Sequence, residues 1–198
     1  GGAIRYALSA VKGLGGPAID SIVAERTANG KFTSLKDLIT RMGGDLNKRA
    51  IENLIKAGAL DSLPGSRRQK MMMYTQLADQ AAQEKKKKIS GQMSLFDFMD
   101  EEEKTQYEAD YPDVPEFSKS EKLTFEKEVL GIYVSGHPME EVESIWRKKI
   151  TNTAADFVWN EEELGTKVQD NARAVIGGII ADKSIKSTKN NTMMAFLA

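Results

Sequence analysis

The sequence predicts a mainly α-helical chain that changes to β-structure near its C-terminal end, an α+β protein overall. Three observations carry that prediction. Apolar residues recur at helical spacing from Ile4 to Ala81 and again from Leu123 to Trp146, a near-continuous apolar run occupies 172–181, and opposed charge runs separate the two helical parts. With 198 residues, 40% hydrophobic and 29% charged, the chain suits one or two domains with a real core. It has no cysteine, which removes disulfides, thiolate metal sites and cysteine nucleophiles and fits a reducing compartment. No apolar run of membrane length and no secretory pattern is present, so a cytoplasmic protein without membrane contact is expected.

The first element is Ile4-Arg5-Tyr6-Ala7-Leu8, followed by Val11-Lys12-Gly13-Leu14-Gly15-Gly16-Pro17 and then Ile19, Ile22 and Val23 at helical spacing. Pro17 belongs in a first helical turn, where its missing amide costs nothing, and Gly13 and Gly15 permit the positive φ angles of a tight turn. This is a helix-hairpin-helix pattern. Gly13, Leu14, Gly15 and Gly16 let the backbone come close, amides at the next helix start point outward and Lys12 adds charge, a combination suited to phosphate. Such contact holds a duplex without reading its sequence. The competing reading is a glycine-rich connector. Ala18-Ile19 also departs from the widest form of the motif, where one alanine follows the second glycine at a longer interval.

Ser34 is placed to cap a helix carrying Leu35, Leu38, Ile39 and Met42 that ends at Gly43-Gly44, and Asn47 to cap another with Ile51, Leu54 and Ile55 on one face. A second hairpin follows at Ala57-Gly58-Ala59-Leu60-Asp61. With Gly58 as its one glycine and Lys56 beside it, it is expected to contact DNA less well than the first or to serve packing alone. Ser66-Arg67-Arg68-Gln69-Lys70 opens a longer helix through Met71, Tyr74, Leu77 and Ala81; Arg67 and Arg68 are candidate phosphate ligands or a solvated helix start. Residues 1–83 thus read as two hairpins around a connecting helix, able to face both strands of a duplex.

Residues 84–118 read as a charged linker. Lys85-Lys86-Lys87-Lys88 and Asp100-Glu101-Glu102-Glu103 flank Gln92-Met93-Ser94-Leu95-Phe96 and hold it away from the body. Gln92 can donate and accept together, Ser94 is small and polar, and Met93, Leu95 and Phe96 have nothing local to cover them. Either Leu95 and Phe96 pack back onto this chain's core, or the segment docks elsewhere. The pentapeptide resembles the sliding-clamp-binding motif of bacterial replication proteins, which would make a sliding clamp its partner. Tyr111-Pro112 and Val114-Pro115 mark an extended connector.

Residues 119–170 read as a helical connector. Ser120 precedes a helix with Leu123, Val129 and Leu130, a loop runs from Gly131 to Pro138, and a short helix carries Met139, Val142, Ile145 and Trp146. His137, the one histidine, has no Ser, Cys or metal ligand at useful spacing, so no catalytic or metal-binding residue is assigned. From residue 171, Val175, Ile176, Ile179 and Ile180 form an apolar run interrupted by Gly177-Gly178, as in a bent barrel strand. Lys183, Lys186 and Lys189 surround an Asn190-Asn191 turn leading to Met193-Met194-Ala195-Phe196-Leu197. A two-strand hairpin is marginal alone, so residues 171–198 are read as the start of a truncated OB-fold barrel whose lysines meet single-stranded DNA. The alternative is an edge hairpin kept soluble by lysines.

Charge is unevenly distributed. The net charge is -1, yet residues 1–90 hold 16 Lys/Arg against 8 Asp/Glu, residues 91–163 hold 7 against 19, and residues 164–198 hold 5 against 2. Two basic regions joined by an acidic spacer suit two separate nucleic-acid contacts.

Taken in order, Ile4-Arg5-Tyr6 running into Val11 to Gly15, Asn47-Lys48-Arg49, the string from Leu54-Ile55-Lys56 to Leu63, Gln92 to Phe96, and Glu126-Lys127-Glu128-Val129-Leu130-Gly131 onward to Pro138 resemble the catalytic alpha subunits of bacterial DNA polymerase III. The likeness spans nearly the whole chain. It implies that residues 1–83 are the end of the fingers and a tandem helix-hairpin-helix domain for double-stranded DNA, that Gln92 to Phe96 is an internal clamp-binding motif, and that an OB-fold starts near residue 171. It also implies a replisome protein at the nucleoid. That family polymerises DNA with magnesium ions held by palm aspartates. No acidic pair here replaces them, Asp100 to Glu103 being a solvated run, so the chain is expected to bind and tether without a cofactor and without synthesising DNA itself. The competing classes are a DNA-repair factor and a protein-interaction adaptor using the hairpins as scaffold.

Overall fold

In the computed structural model, which describes residues 7–89, 111–161 and 164–197, the chain divides into two units between Gly136 and His137. The first unit begins with a 3-10 turn at Leu8–Ala10 that leads into the first hairpin, and helix α1 (Gly16–Asn29) carries Pro17 in its opening turn. Gly13 takes a positive φ of +77°, but Gly15 is extended (φ -77°, ψ 158°) and forms the N-cap of α1. One left-handed residue reverses the chain, and the residue that follows the turn must already feed the helix.

Polar caps set the next two helices. In α2 (Leu35–Met42) Ser34 accepts the Asp37 amide at 3.0 Å, and in α3 (Lys48–Lys56) Asn47 accepts the Ala50 amide at 2.8 Å. Their apolar faces, with Leu35, Leu38, Ile51 and Leu54 buried, pack with Leu77 in one core. Helix α4 runs Arg67–Ile89, opened by Ser66 and Gln69, which exchange hydrogen bonds between side chain and amide. It is longer than the sequence suggested: Lys85 to Lys88, expected in a linker from residue 84, form its last turns. Lysine is a good helix former, so the run favours continuing the helix. The expected clamp motif, Gln92 to Phe96, lies outside the described residues, as does Asp100 to Glu103.

The chain returns at Tyr111 as extended backbone lying against the start of α4. Gln69 donates to the Pro112 carbonyl at 2.8 Å, and Glu116 accepts the amides of Arg67 and Arg68 at 3.2 and 3.1 Å. Helix α5 (Lys119–Leu130) opens on a capping box between Ser118 and Glu121, two residues before the expected Ser120, and ends at left-handed Gly131. Leu123, Glu126 and Val129 share its buried face. Because α5 packs on α3, it belongs to the first unit, and the boundary falls at Gly136 rather than near residue 119.

The second unit contains a 3-10 turn at Glu140–Val142, the short helix α6 (Glu143–Trp146), a 3-10 turn at Ala154–Phe157 and an isolated bridge between Asn160 and Gly165. Residues 172–181, expected as a barrel strand, form no regular strand. The amides of Thr151 and Asn152 reach only the Val175 carbonyl, at 2.8 and 3.3 Å, and a ladder needs more than one paired residue to propagate. Gly177 serves close packing instead: a Cβ there would stand 3.1 Å from Ile150 Cγ2. The expected hairpin is present as antiparallel β1 (Lys183–Ser187) and β2 (Met193–Leu197), with Ile185 opposite Ala195. Asn191 takes a left-handed φ of +58° in the turn, a conformation asparagine tolerates.

Candidate nucleic-acid interface

At the first hairpin, Val11 and Leu14 are buried and pin both sides of the turn, while Lys12, Gly13, Gly15 and Gly16 are exposed. Asn53 of α3 donates to the Lys12 carbonyl at 2.5 Å, and the Lys12 amide donates to the Val129 carbonyl of α5 at 2.8 Å. The Lys12 backbone is thus held from two helices and its side chain is left at the surface. Gly13 cannot easily change: besides its positive φ, a Cβ would meet Asn53 Nδ2 at 3.2 Å. The amides of Gly13, Gly15 and Gly16 meet no acceptor among the described residues, and they stand where α1 begins. Leu14 is an anchor, its side chain in the core and its amide on the Val11 carbonyl at 3.1 Å.

The second hairpin has the opposite character. Amides of Ala57, Gly58, Ala59 and Asp61 donate to the carbonyls of Asn53, Ile55, Leu54 and Gly58 at 2.9 to 3.1 Å. The space beside Gly58 (φ +74°) is filled by the guanidinium of Arg67 and the carboxylate of Asp61. Arg67 is only 6% exposed. Its Nε reaches both Asp61 oxygens at 2.9 and 3.0 Å, Nη2 reaches Asp61 Oδ2 at 2.7 Å, and Nη1 reaches Glu126 Oε1 at 3.0 Å. Glu126 is completely buried and gives its other oxygen to the amides of Val134 and Ser135, each at 2.8 Å. Burial alone would push its carboxyl up; the Ser135 and Val134 amides and Arg67 outweigh that and hold it below the usual carboxylate range.

The neighbouring cations are similarly committed. Lys70, 1% exposed, donates to the carbonyls of Leu63 and Gly65, and burial lowers its ammonium pKa. Lys56 bonds Glu52 at 3.0 Å and Glu128 at 3.1 Å. Arg68 is half-buried, its guanidinium 5.7 Å from the Phe117 ring centre. Of the readings the sequence left open at the second hairpin, DNA contact or packing alone at Gly58 and phosphate ligand or solvated helix start at Arg67, the geometry fits packing at Gly58 and an internal role at Arg67: the glycine makes room and the arginine joins two carboxylates. Asp61 is near enough in sequence to signal this, but Glu126, 59 residues from Arg67, is not.

In the second unit, Lys183 and Lys186 fall on opposite faces of the ribbon because side chains alternate along a strand. Lys186 stands 5.3 Å from the centre of the Phe196 ring, and Lys189 lies in the turn. His137 is exposed, and its Nδ1 accepts the Met139 amide at 3.1 Å. Among the described residues no group of three or more His, Cys, Asp or Glu is arranged to hold a metal ion. No helix among them is long and apolar enough to cross a membrane.

A family model described as a helix-hairpin-helix motif matches residues 1–70, which contain both hairpins. The DNA polymerase III subunit alpha of Borreliella burgdorferi is 36% identical over 194 residues, covering 98% of this chain and 16% of that protein. The subunit from Mycobacterium leprae is 33% identical over 191 residues, covering 96% of this chain and 16% of that protein, and the one from Neisseria meningitidis serogroup B is 42% identical over 140 residues, covering 68% and 12%. The chain thus spans less than a fifth of the length of these relatives. With homology running from the hairpins through both units, the chain belongs to the DNA polymerase III alpha-subunit family as one segment of it.

Proposed function

We propose that this segment holds duplex DNA by its phosphate backbone through the first hairpin, and tethers a template-directed, magnesium-dependent DNA polymerase to its substrate in the bacterial cytoplasm, at the nucleoid. The observation that carries this reading is the contrast between the hairpins. Lys12 and the amides of Gly13, Gly15 and Gly16 are exposed at one, whereas the amides and cations of the other are engaged within the protein. Backbone donors at a helix start with one lysine suit phosphate and read no base edge, as a polymerase that must accept any sequence requires. Lys56 and Arg68 sit beside the second hairpin as secondary contacts: Lys56 exchanges its bonds to Glu52 and Glu128 for phosphate, and Arg68 its place over the Phe117 ring.

Two further contacts complete the tether. Gln92 to Phe96 docks on a sliding clamp, a reading supported by its sequence pattern and flanking charge runs. Lys183, Lys186 and Lys189 of the β-hairpin meet single-stranded template as part of an OB-fold. Several weak contacts on one chain raise the effective local concentration of each, so modest affinities sustain residence on DNA. Calorimetric titration with a bacterial sliding clamp tests the docking contact: micromolar binding, abolished in Gln92→Ala/Leu95→Ala/Phe96→Ala, is expected. No heat with the unmodified chain at concentrations approaching about 1 mM would remove the clamp from this account.

A further inference from the structure

The last turn of α5 is tied to both hairpins at once. Glu126 bonds Arg67 at the second hairpin, Glu128 bonds Lys56 at the end of α3, and the Val129 carbonyl accepts the Lys12 amide at the first hairpin. Glu126 and Val129 lie three residues apart on the same buried helix face, so whatever fixes one fixes the other. Glu126 also takes the amides of Val134 and Ser135, folding the chain back just beyond the helix end at Gly131. The Val129 carbonyl is one of the final-turn carbonyls with no partner inside its own helix, and its direction is set by where that turn is held.

We infer that Glu126 is a positioning residue for duplex binding, acting through Arg67 and the end of α5 to hold the Lys12 turn in its phosphate-facing conformation without touching DNA. The inference rests on the first hairpin being the duplex contact. It makes a prediction opposite in sign to simple electrostatics. Removing a negative charge from a DNA-binding unit tightens binding if charge alone matters; removing this one loosens the turn and weakens it.

The test compares the 198-residue chain with Glu126→Gln, and with Glu121→Gln as a control on the exposed face of the same helix, since glutamine can still complete that capping box. Duplex affinity is read by fluorescence anisotropy at one salt concentration, and exchange of the Lys12 amide by NMR, with the Leu38 amide of α2 as reference. For Glu126→Gln we expect about fivefold weaker binding and faster exchange at Lys12 than at Leu38, with neither change in Glu121→Gln. A general loss of stability would accelerate both amides together, which overturns the inference, as does unchanged or tighter binding or unchanged Lys12 protection. If the unmodified chain binds no duplex, the proposed function fails, while Lys12 exchange still decides whether Glu126 positions the turn. Should Glu126→Gln not fold, native-state exchange of the unmodified chain in mild denaturant decides: Lys12, Val134 and Ser135 opening as one unit supports the inference, and separate opening overturns it.

Discussion

Gly58 and Arg67 occupy one space, and much of the first unit depends on that arrangement. A methyl group on residue 58 would overlap the guanidinium in a backbone conformation already unfavourable for a side chain, so Gly58→Ala is expected to destabilise the chain by about 2 kcal/mol or more, read from urea unfolding. Arg67→Ala leaves the buried Glu126 without its cation and is expected to cost about 3 kcal/mol in the same measurement. Glu126 also makes stability depend on pH. Its folded-state pKa lies below the ordinary glutamate value of about 4.3, so its contribution is complete above that value and is lost as pH falls through it toward the lower folded value. The urea midpoint should fall on acidification below about pH 5, with a shallower fall in Glu126→Gln. A glycine beside a basic cluster gives the same local sequence whether it admits a phosphate or a guanidinium. The distinction here comes from Glu126, whose partner is visible only once the chain has folded.

At the level of elements, the caps were legible and the limits set by distant partners were not. Ser34 and Asn47 announce α2 and α3 because their side chains bond amides three residues on, an interaction written into the local sequence. The start of α4 has a second cap that no local pattern shows: Glu116 accepts the amides of Arg67 and Arg68 from 49 and 48 residues away. Glu116→Ala should therefore lower stability by about 1 kcal/mol although it lies in no helix, and the loss should appear as faster amide exchange in the first turn of α4. The apolar run over 172–181 shows the same limit from the other side. Its residues favour a strand, but strand formation depends on a neighbour to complete the ladder, and the bonds at Val175 supply only a single point of pairing.

Across the whole molecule, the buried hydrophobic core lies in the first unit, from Val11 to Val129, and the second carries many exposed apolar side chains, among them Trp159, Ile176 and Phe196. The first unit should thus unfold cooperatively on its own: a chain ending at Gly136 is expected to keep its thermal midpoint within about 5 °C of the full chain, followed by circular dichroism. The helical character and the C-terminal hairpin were readable from periodicity and turn residues. The division at Gly136 was not, because it depends on α5 packing against α3. The measurement that bears most directly on the proposed duplex contact is a salt titration of binding to generic duplex DNA by the 198-residue chain and Lys12→Ala. The account predicts affinity that falls as salt rises, equal for unrelated sequences, and a log–log slope shallower by about 1 in Lys12→Ala. Binding that ignores salt, or that Lys12→Ala leaves unchanged in affinity and slope, would contradict the assignment of the first hairpin as the phosphate contact.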